Sequence, residues 1–502
     1  MSYLNVAEVE TALQLAAGPA NAGFTELITL PRITWEGRTC RAIRIHQGAA
    51  VRGGVYLLGG IHAREWGSPD ILINFVRLLT DAYRAGTGLS QGGMSLDAGK
   101  VAEIVDNLHV VVFPQANPDG RHHSMTVDPM WRKNRRPVGH GDPHCTVGGG
   151  NGPGVDINRN YDFMWDFPTL FSPRAPVQTS VDPCKETYRG PSAVSEPETA
   201  NVAWLLDRVP SVGYFIDIHS FGEDILYNWG DDDDQTTKPE MNFRNPAFDG
   251  KRGITDSTPG GDPKKYQEYL PATDLDDLIH LGTVMRDAIA TAHGRQYSVK
   301  GAVGLYPTSG TSDDYAYSRS FVDAHKGKVL GYTIEWGPQR ASIAKSFHPD
   351  YPDMVPIIEE VTAALLAFCA EVAGRLDAPG RDRDAVRGMR GNASPRSEDV
   401  VARYHITVYG ADRAAMADLV RVHGVRVYAQ TLQEGSGGYR VDAVCDESEI
   451  DKLTDAGYRV DRHEDVDEAA RDSLRHVGTG NRFAAEAAAA LEGDQAQRRV
   501  DR

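Results

Sequence analysis

Four short and nearly uninterrupted apolar runs constrain the fold of this chain more than any other feature. They are Val55–Leu58, His109–Phe113, Tyr214–Ile218 and Val329–Ile334. Runs of this kind, without polar alternation, are typical of strands that are covered on both faces. Amphipathic segments alternate with them between about residues 25 and 375. The clearest amphipathic segments are Pro69–Ala85, Glu196–Arg208, Asp274–His293 and Tyr351–Leu376. The alternation predicts an α/β fold.

The chain has 502 residues, which is more than one ordinary domain needs. A polar stretch within residues 379–399 has no apolar periodicity and is typical of a linker. After it, residues 400–466 follow a β-α-β-β-α-β order, which predicts a small ferredoxin-like α+β domain. The sequence therefore predicts a large domain over residues 1–378, the linker, the small domain, and a helical, partly disordered tail over residues 467–502.

Composition excludes two classes of partner. The formal net charge of −17 argues against nucleic acid, because a phosphate backbone requires a basic face. No apolar stretch reaches the ~18 residues of a membrane span. The first residues have no basic segment followed by an apolar one, so we expect no secretory signal and, by default, a cytoplasmic protein.

Polar residues that could bind a metal follow two of the apolar runs. His62 and Glu65 come just after the first run and a Gly-Gly turn, and His219 ends the run Tyr214–Ile218. Alone, a His-x-x-Glu pair is weak evidence, and a single histidine at a strand end is more often a core residue. Together, the three residues could converge at the carboxyl edge of the sheet and form a site with an open position.

Further motifs carry a resemblance to a known family. They are Met130–Arg136 (MWRKNRR), Gly154–Trp165 (GVDINRNYDFMW), Glu186–Thr199 (ETYRGPSAVSEPET) and Gly331–Gly337 (GYTIEWG). With LGGIHAREWG they resemble the zinc metallocarboxypeptidases of the A/B type, in the same chain order, over nearly all of residues 25–375. The resemblance implies a mixed, mostly parallel sheet flanked by helices. It also implies one catalytic Zn²⁺ bound by His62, Glu65 and His219.

The resemblance also implies an activity, the removal of C-terminal residues from peptides. Glu335 matches the catalytic glutamate, which takes a proton from a zinc-activated water and returns it to the leaving amine. Arg132 matches the arginine that stabilises the developing oxyanion. Asn158 and Arg159 match the pair that binds the terminal carboxylate of the substrate, which would make the protein an exopeptidase.

Three further roles are implied by motif position. Tyr306 matches a tyrosine that covers bound substrate, with Tyr315 and Tyr317 as nearby alternatives. Asp156 matches a carboxylate that orients the first zinc histidine. Arg64 matches a residue of the extended substrate site.

In the family that the chain resembles, one residue lies at the base of the pocket that binds the departing side chain. That position matches Asp313, or Asp314 if the register shifts by one. An aspartate there accompanies a preference for C-terminal Lys and Arg, through a charge-assisted pair. Leu226 and Thr333 could instead line an apolar wall, which would broaden the specificity.

Cys145 and Cys184 fall where A-type members carry a disulfide. Because a stable disulfide is uncommon in a reducing compartment, this pairing conflicts with the cytoplasmic expectation and would imply secretion by another route.

Several interpretations remain open. Residues 400–466 could pack near the rim of the active site and restrict substrates, or could serve stability or oligomerisation. The acidic run Asp231–Asp234 could bind calcium, although a solvated loop is the favoured interpretation. The rival functions are a catalytically silent relative that binds peptide termini and an amidase acting on peptidoglycan-type peptides.

Overall fold

The computed structural model describes residues 1–48, 52–137, 153–255, 266–375, 402–435 and 437–490. The linker predicted over residues 379–399 lies outside these ranges. In the first four ranges the strands are β1 (Thr25–Ile33), β2 (Thr39–Ile45), β3 (Gly53–Gly59), β4 (Leu89–Gln91), β5 (Met94–Leu96), β6 (Leu108–Phe113), β7 (Val212–Ser220), β8 (Asp224–Tyr227), β9 (Asp234–Gln235), β10 (Glu268–Tyr269), β11 (Ser298–Gly301) and β12 (Leu330–Trp336).

Eight of these strands form the central sheet, in the order β1-β2-β6-β3-β7-β12-β8-β11. The four inner strands β6, β3, β7 and β12 are mutually parallel, whereas β1, β2 and β8 join antiparallel neighbours. The four predicted apolar runs are these inner strands. Within β3, Val55 and Leu57 face one hydrophobic core while Tyr56 and Leu58 face another. The mixed, mostly parallel sheet is therefore confirmed, and so is the reason for its unbroken apolar runs.

Helices cover both faces of the sheet. They are α1 (Val6–Ala16), α2 (Gly67–Ala85), α3 (Ala98–Asn107), α4 (Pro118–Thr126), α5 (Phe167–Leu170), α6 (Pro197–Arg208), α7 (Ala272–His293), α8 (Ser312–Val322), α9 (Ile343–Phe347) and α10 (Tyr351–Arg375). The four helices predicted from amphipathic periodicity are α2, α6, α7 and α10, and each boundary agrees within two residues. Within the described ranges, no helix has the length and apolarity that a membrane crossing requires.

Residues 402–466 form the C-terminal module. It contains β13 (Arg403–Gly410), α11 (Arg413–Arg421), β14 (Val427–Gly435), β15 (Gly438–Asp446), α12 (Glu447–Asp455) and β16 (Arg459–Asp465). The strands form an antiparallel sheet in the order β14-β15-β13-β16. One face of this sheet packs on the module's own helices through residues such as Ile406, Val408 and Leu453. The other face lies toward the large domain.

The segment after the module returns to the large domain. Helix α13 (Val466–Ser473) packs against α9, and the chain then runs beside the N-terminus. The Tyr3 amide donates to the His476 carbonyl at 2.6 Å, and Arg482 Nε donates to Glu8 at 2.8 Å. The segment that follows the module is thus joined to the N-terminal part of the large domain.

Candidate active site

The three candidate metal ligands meet at the carboxyl edge of neighbouring strands. β3 and β7 are parallel, with Gly59 opposite Ile218, so the residues that follow β3 lie beside the end of β7. His62 and Glu65 occupy the turn between β3 and α2, and His219 lies at the end of β7. The turn depends on Gly60, whose φ of 68° is readily available only to glycine. A Cβ at that position would also approach the Pro114 carbonyl oxygen at 3.1 Å.

The ligand atoms converge on one point. His62 Nδ1 lies 2.7 Å from Glu65 Oε1 and 2.9 Å from His219 Nδ1, and His219 Nδ1 lies 3.0 Å from Glu65 Oε2. All three side chains are buried. Where each ring keeps its proton on Nε2, beside Asp156 and Asp217, both Nδ1 atoms present a lone pair, and a cation between them satisfies both. The donors therefore fit a zinc ion held by two histidines and one glutamate.

A carboxylate lies behind each histidine. His62 Nε2 lies 3.3 Å from Asp156 Oδ1, and His219 Nε2 lies 2.9 Å from Asp217 Oδ2. Such carboxylates fix the ring orientation, so that Nδ1 carries the lone pair toward the metal. The resemblance predicted Asp156 in this position. Sequence reasoning missed Asp217, although it lies two residues before His219 on the same face of β7 and could have been found from strand alternation.

Glu335 lies beside the metal ligands because β12 pairs with β7 in a register that sets Glu335 opposite His219. One carboxylate oxygen, Oε2, is buried and has no hydrogen-bond partner among the described residues. Burial raises the pKa of Glu335 to about 8, against the opposing effect of His219. The charge of a bound zinc ion would lower this pKa and favour the carboxylate.

Arg132 is buried between two acidic groups. Its Nε and Nη2 donate to Asp156 Oδ2 at 3.0 and 2.9 Å, and its Nη1 lies 3.9 Å from Glu65 Oε1. Burial lowers the pKa of Arg132, but Asp156 and Glu65 outweigh this effect and hold it above its ordinary value. The guanidinium is therefore a fixed positive charge next to the metal ligands.

Asn158 and Arg159 follow Asp156 in a short 3₁₀ turn, Ile157–Arg159. Arg159 donates from Nε to the Gln178 carbonyl and from Nη1 to the Asn158 carbonyl, both at 2.6 Å. Asn158 Oδ1 accepts from the Ser312 amide at 2.9 Å. These bonds orient both side chains along the wall of the same cavity as His62 and Glu65.

Tyr306 and Asp313 also line this cavity, together with Leu226 and Thr333. Asp313 Oδ2 accepts from Thr333 Oγ1 at 3.0 Å. The neighbouring Asp314 points away from the cavity, and the groups that donate to it are the Asn228 amide, the Gly230 backbone and Thr311. Of the two aspartates, Asp313 is therefore the one that faces the cavity.

Arg64 is placed differently from the other predicted substrate residues. Its side chain is fully buried and pairs with both oxygens of Glu186, at 3.0 and 3.1 Å, under the ring of Phe347. It is not among the described residues that line the cavity. Its role in an extended substrate site stays a prediction.

The predicted disulfide falls partly outside the described residues. Cys184 is disulfide-bonded, while Cys40, Cys369 and Cys445 are free. Its predicted partner Cys145 lies outside the described residues.

The favoured interpretation of the acidic run Asp231–Asp234 is wrong for its first two members. Asp231 and Asp232 are fully buried, and only Asp233 and Asp234 retain partial exposure. Burial raises the pKa of Asp232 to about 9, helped by the charge of Asp231. The first half of the run is therefore packed within the large domain and is not part of a solvated loop.

The cavity is closed on one side by the C-terminal module. Arg426, Val427, Tyr428 and Gln430, at and just before the start of β14, line it opposite the metal ligands. Gln430 donates to the Phe221 carbonyl at 3.1 Å, and Arg426 pairs with Glu186 at 2.7 Å. A position near the rim was one of two interpretations of the module from sequence, and none of these residues was identified.

The fold and this arrangement define a class. A parallel-centred α/β sheet presents a His/Glu/His site at its carboxyl edge, with a partly buried glutamate and a buried arginine beside it, as in a zinc-dependent peptidase. The profile described as zinc carboxypeptidase matches residues 20–364. The chain therefore belongs to the zinc carboxypeptidase family and is a metallocarboxypeptidase.

Individual relatives agree with this assignment. The chain is 27% identical over 305 residues to a carboxypeptidase B of Astacus astacus, covering 60% of this chain and 76% of that one. It is 27% identical over 342 residues to a zinc carboxypeptidase A 1 of Anopheles gambiae, covering 68% of this chain and 61% of that one. Among solved structures, bovine thrombin-activatable fibrinolysis inhibitor in complex with tick carboxypeptidase inhibitor shares the fold. Its TM-score is 0.53 at 19% identity, with 74% of this chain and 98% of that chain covered.

Proposed function

We propose that this chain removes single residues from the C-termini of L-peptides, with a preference for Lys and Arg. The observation that carries the proposal is the convergence of Glu335, Arg132, Asn158 and Arg159 on the cavity that the metal ligands line. A metal site alone would fit many hydrolases. A metal site with a proton acceptor, a fixed cation and a carboxylate-binding pair fits an exopeptidase.

Each side chain has a distinct part in the reaction. Zinc bound by His62, Glu65 and His219 would polarise the scissile carbonyl and lower the pKa of water. Glu335 accepts the proton of the attacking water and returns it to the departing amine nitrogen. Arg132 stabilises the negative charge that develops on the carbonyl oxygen, because its guanidinium is already oriented by Asp156.

Selection of chain ends rests on Asn158 and Arg159. Arg159 uses Nε and Nη1 for backbone carbonyls, so among the described hydrogen bonds its Nη2 is not engaged. A guanidinium edge held in this way can bind a carboxylate in a fixed orientation. When the terminal carboxylate is bound there, the C-terminal peptide bond lies next to Glu335 and internal peptide bonds do not.

The preference for basic residues rests on Asp313. Its side chain is only 3% exposed and faces the cavity. A cationic Lys or Arg side chain would neutralise this buried carboxylate, with a gain of about 1.5–3 kcal/mol for a charge-assisted hydrogen bond. Leu226 and Thr333 lie in the same cavity and supply a surface for the apolar stem of such a side chain.

A profile of C-terminal residues tests this proposal. Blocked dipeptides ending in Arg, Phe and Glu are compared by kcat/KM, with zinc-loaded enzyme and with enzyme treated with a zinc chelator. We expect the Arg substrate to be fastest and all turnover to stop after chelation. Faster turnover of the Phe substrate would refute the preference, and turnover that survives complete zinc removal would refute the zinc-dependent mechanism.

Two matched variants separate the roles of the neighbouring aspartates. Asp313→Asn is expected to lower kcat/KM for the Arg substrate by about 10–150-fold, the equivalent of 1.5–3 kcal/mol. Asp314→Asn is the control, since burial raises the pKa of Asp314 well above its ordinary range and a neutral amide is then a close replacement. A loss of Arg preference in the control alone would assign the role to Asp314.

We also propose that the C-terminal module limits access to the active site. With the module in place the cavity measures about 60 Å³. Pockets for small molecules usually measure ~300–1,000 Å³, so this volume is too small for a peptide end. We infer that β14 moves away from the metal ligands when a peptide end binds. The catalytically silent alternative gains no support, since the metal ligands and Glu335 are all present.

A further inference from the structure

A second group of metal-binding side chains lies in the C-terminal module. His405 on β13, Asp442 on β15 and His463 on β16 each offer a ligand atom, and these atoms lie within 4.8 Å of one another. We call these three residues the module site. Its residues lie on the sheet strands of the module and are separate from His62, Glu65 and His219.

The strand register brings these three residues to one face of the sheet. On β13, His405 and Thr407 point to the same side, and Thr407 pairs directly with Asp442. Ile406 pairs with Arg462, so the next residue, His463, lies across from His405. An irregularity between Tyr404 and Ile406 interrupts the β13–β16 pairing at this point. Such bulges redirect a side chain and are frequent beside functional sites.

The burial of His405 is not explained by its hydrogen bonds. It is 5% exposed, and neither ring nitrogen has a hydrogen-bond partner among the described residues. Its Nε2 lies 3.6 Å from Asp442 Oδ2, which is too far for a hydrogen bond. Its ring centroid lies 4.6 Å from that of His463. A buried polar group without a partner costs on the order of 1–3 kcal/mol, so a ligand bound by this imidazole would stabilise the module.

The other two members are oriented by the protein. The Thr407 hydroxyl donates to Asp442 Oδ1 at 2.7 Å and lies 2.7 Å from His463 Nε2. With the hydroxyl proton directed to Asp442, His463 Nε2 must donate to Thr407, which leaves the Nδ1 lone pair of His463 free. Gln339 Nε2 donates to Asp442 Oδ2 at 2.9 Å. These contacts resemble the outer partners that orient metal ligands.

We propose that the module site binds a divalent transition metal ion, with zinc as the expected occupant. Two imidazoles and one carboxylate are the donors such ions prefer, and three protein ligands leave a position for water because His463 is exposed. Gln339 belongs to the large domain, four residues after Glu335, so the ion would bind at the contact between the module and the catalytic domain. The proposal does not depend on the proposed peptidase activity.

Metal stoichiometry of the full-length protein tests the proposal. After equilibrium dialysis against zinc, we expect two ions per chain for the wild type. His463→Ala and His405→Gln are each expected to hold one. His423→Ala is the matched control, because it removes another imidazole of the same module, one that contacts Tyr458, and should hold two.

A variant of the catalytic centre makes the two sites distinguishable. Glu65→Gln should lose the catalytic ion and retain the module ion, and cobalt substitution should show the remaining ion in a site with histidine ligands. Because His463 is exposed, His463→Ala should fold normally, and its circular dichroism spectrum checks this. One ion per wild-type chain, or an equal zinc content in His463→Ala and wild type, would overturn the proposal.

Discussion

Tyr428 is the side chain whose removal should most directly release the C-terminal module from the active site. It is buried at the start of β14, where its ring contacts two aromatic rings of the catalytic domain. The centroid of Phe221 lies at 5.6 Å and that of Phe347 at 6.0 Å. Burial raises the pKa of its hydroxyl to about 12, so the side chain is neutral and packs as an aromatic ring. Tyr428→Ala removes these contacts and leaves the catalytic residues unchanged.

The expected effect follows from the contacts. Two aromatic pairs contribute roughly 0.5–1.5 kcal/mol each, in addition to the apolar area that the ring buries. We expect a loss of about 2–4 kcal/mol in the free energy of docking, since only part of the ring faces the catalytic domain. This corresponds to an increase of about 30–1,000-fold in the ratio of open to closed protein. Apparent substrate affinity scales with the fraction of open protein, so KM should fall until the open form predominates.

The assay compares kcat/KM for a blocked dipeptide and for a longer peptide, both ending in Arg. Tyr439→Ala is the matched control, because it removes a tyrosine of the same module that contacts Arg413 and lies away from the cavity. We expect kcat/KM to rise for Tyr428→Ala and to stay at the wild-type value for Tyr439→Ala. If Tyr428→Ala shows unchanged or lower kcat/KM with full zinc occupancy, the module does not restrict access.

Three other changes test the catalytic and structural assignments. Glu335→Gln should lower kcat by about 10²–10⁴-fold with unchanged zinc content. For the wild type, kcat/KM should rise with pH as Glu335 loses its proton, with a pKa below about 8 because zinc lowers the pKa of this base. Burial raises the pKa of Asp70 to about 7, so between about pH 4 and pH 7 the folded state retains a proton that the unfolded state has lost. Stability to urea should therefore fall as pH rises through this window, and Asp70→Asn should reduce the slope. Arg403→Met leaves the buried carboxylates of Asp128 and Asp467 without their shared partner and should destabilise the protein by about 3–5 kcal/mol in thermal or denaturant unfolding.

The metal ligands could be located from sequence because they depend on short-range geometry. His62 and Glu65 follow a strand and a glycine turn, and His219 ends the adjacent strand, so parallel pairing alone brings them together. Asp217 could be predicted from the sequence in the same way, since residues two apart on a strand share a face. The role of Asp156 beside the first histidine indicates that the second histidine also needs a carboxylate partner.

Burial of the acidic run and the position of the module were harder to predict. Asp231 and Asp232 are hydrophilic by composition, and only the packing around them shows that they are enclosed. The order of strands and helices predicted the fold of the module correctly. It contains no information on which face docks, because that depends on contacts such as those of Tyr428 and Gln430 with Phe221, which lies more than 200 positions earlier in the chain.

The position of Arg64 connects the module to the substrate site. Glu186 forms an ion pair with Arg64, which lies in the turn that carries the metal ligands, at 3.0 Å. It forms a second ion pair with Arg426 of the module at 2.7 Å. Arg403 lies 3.6 Å from the same carboxylate. One glutamate therefore binds guanidinium groups from both domains while Arg64 is fully buried. Undocking of the module would withdraw two of these three guanidinium groups, Arg403 and Arg426, and would leave Glu186 with Arg64 alone among them.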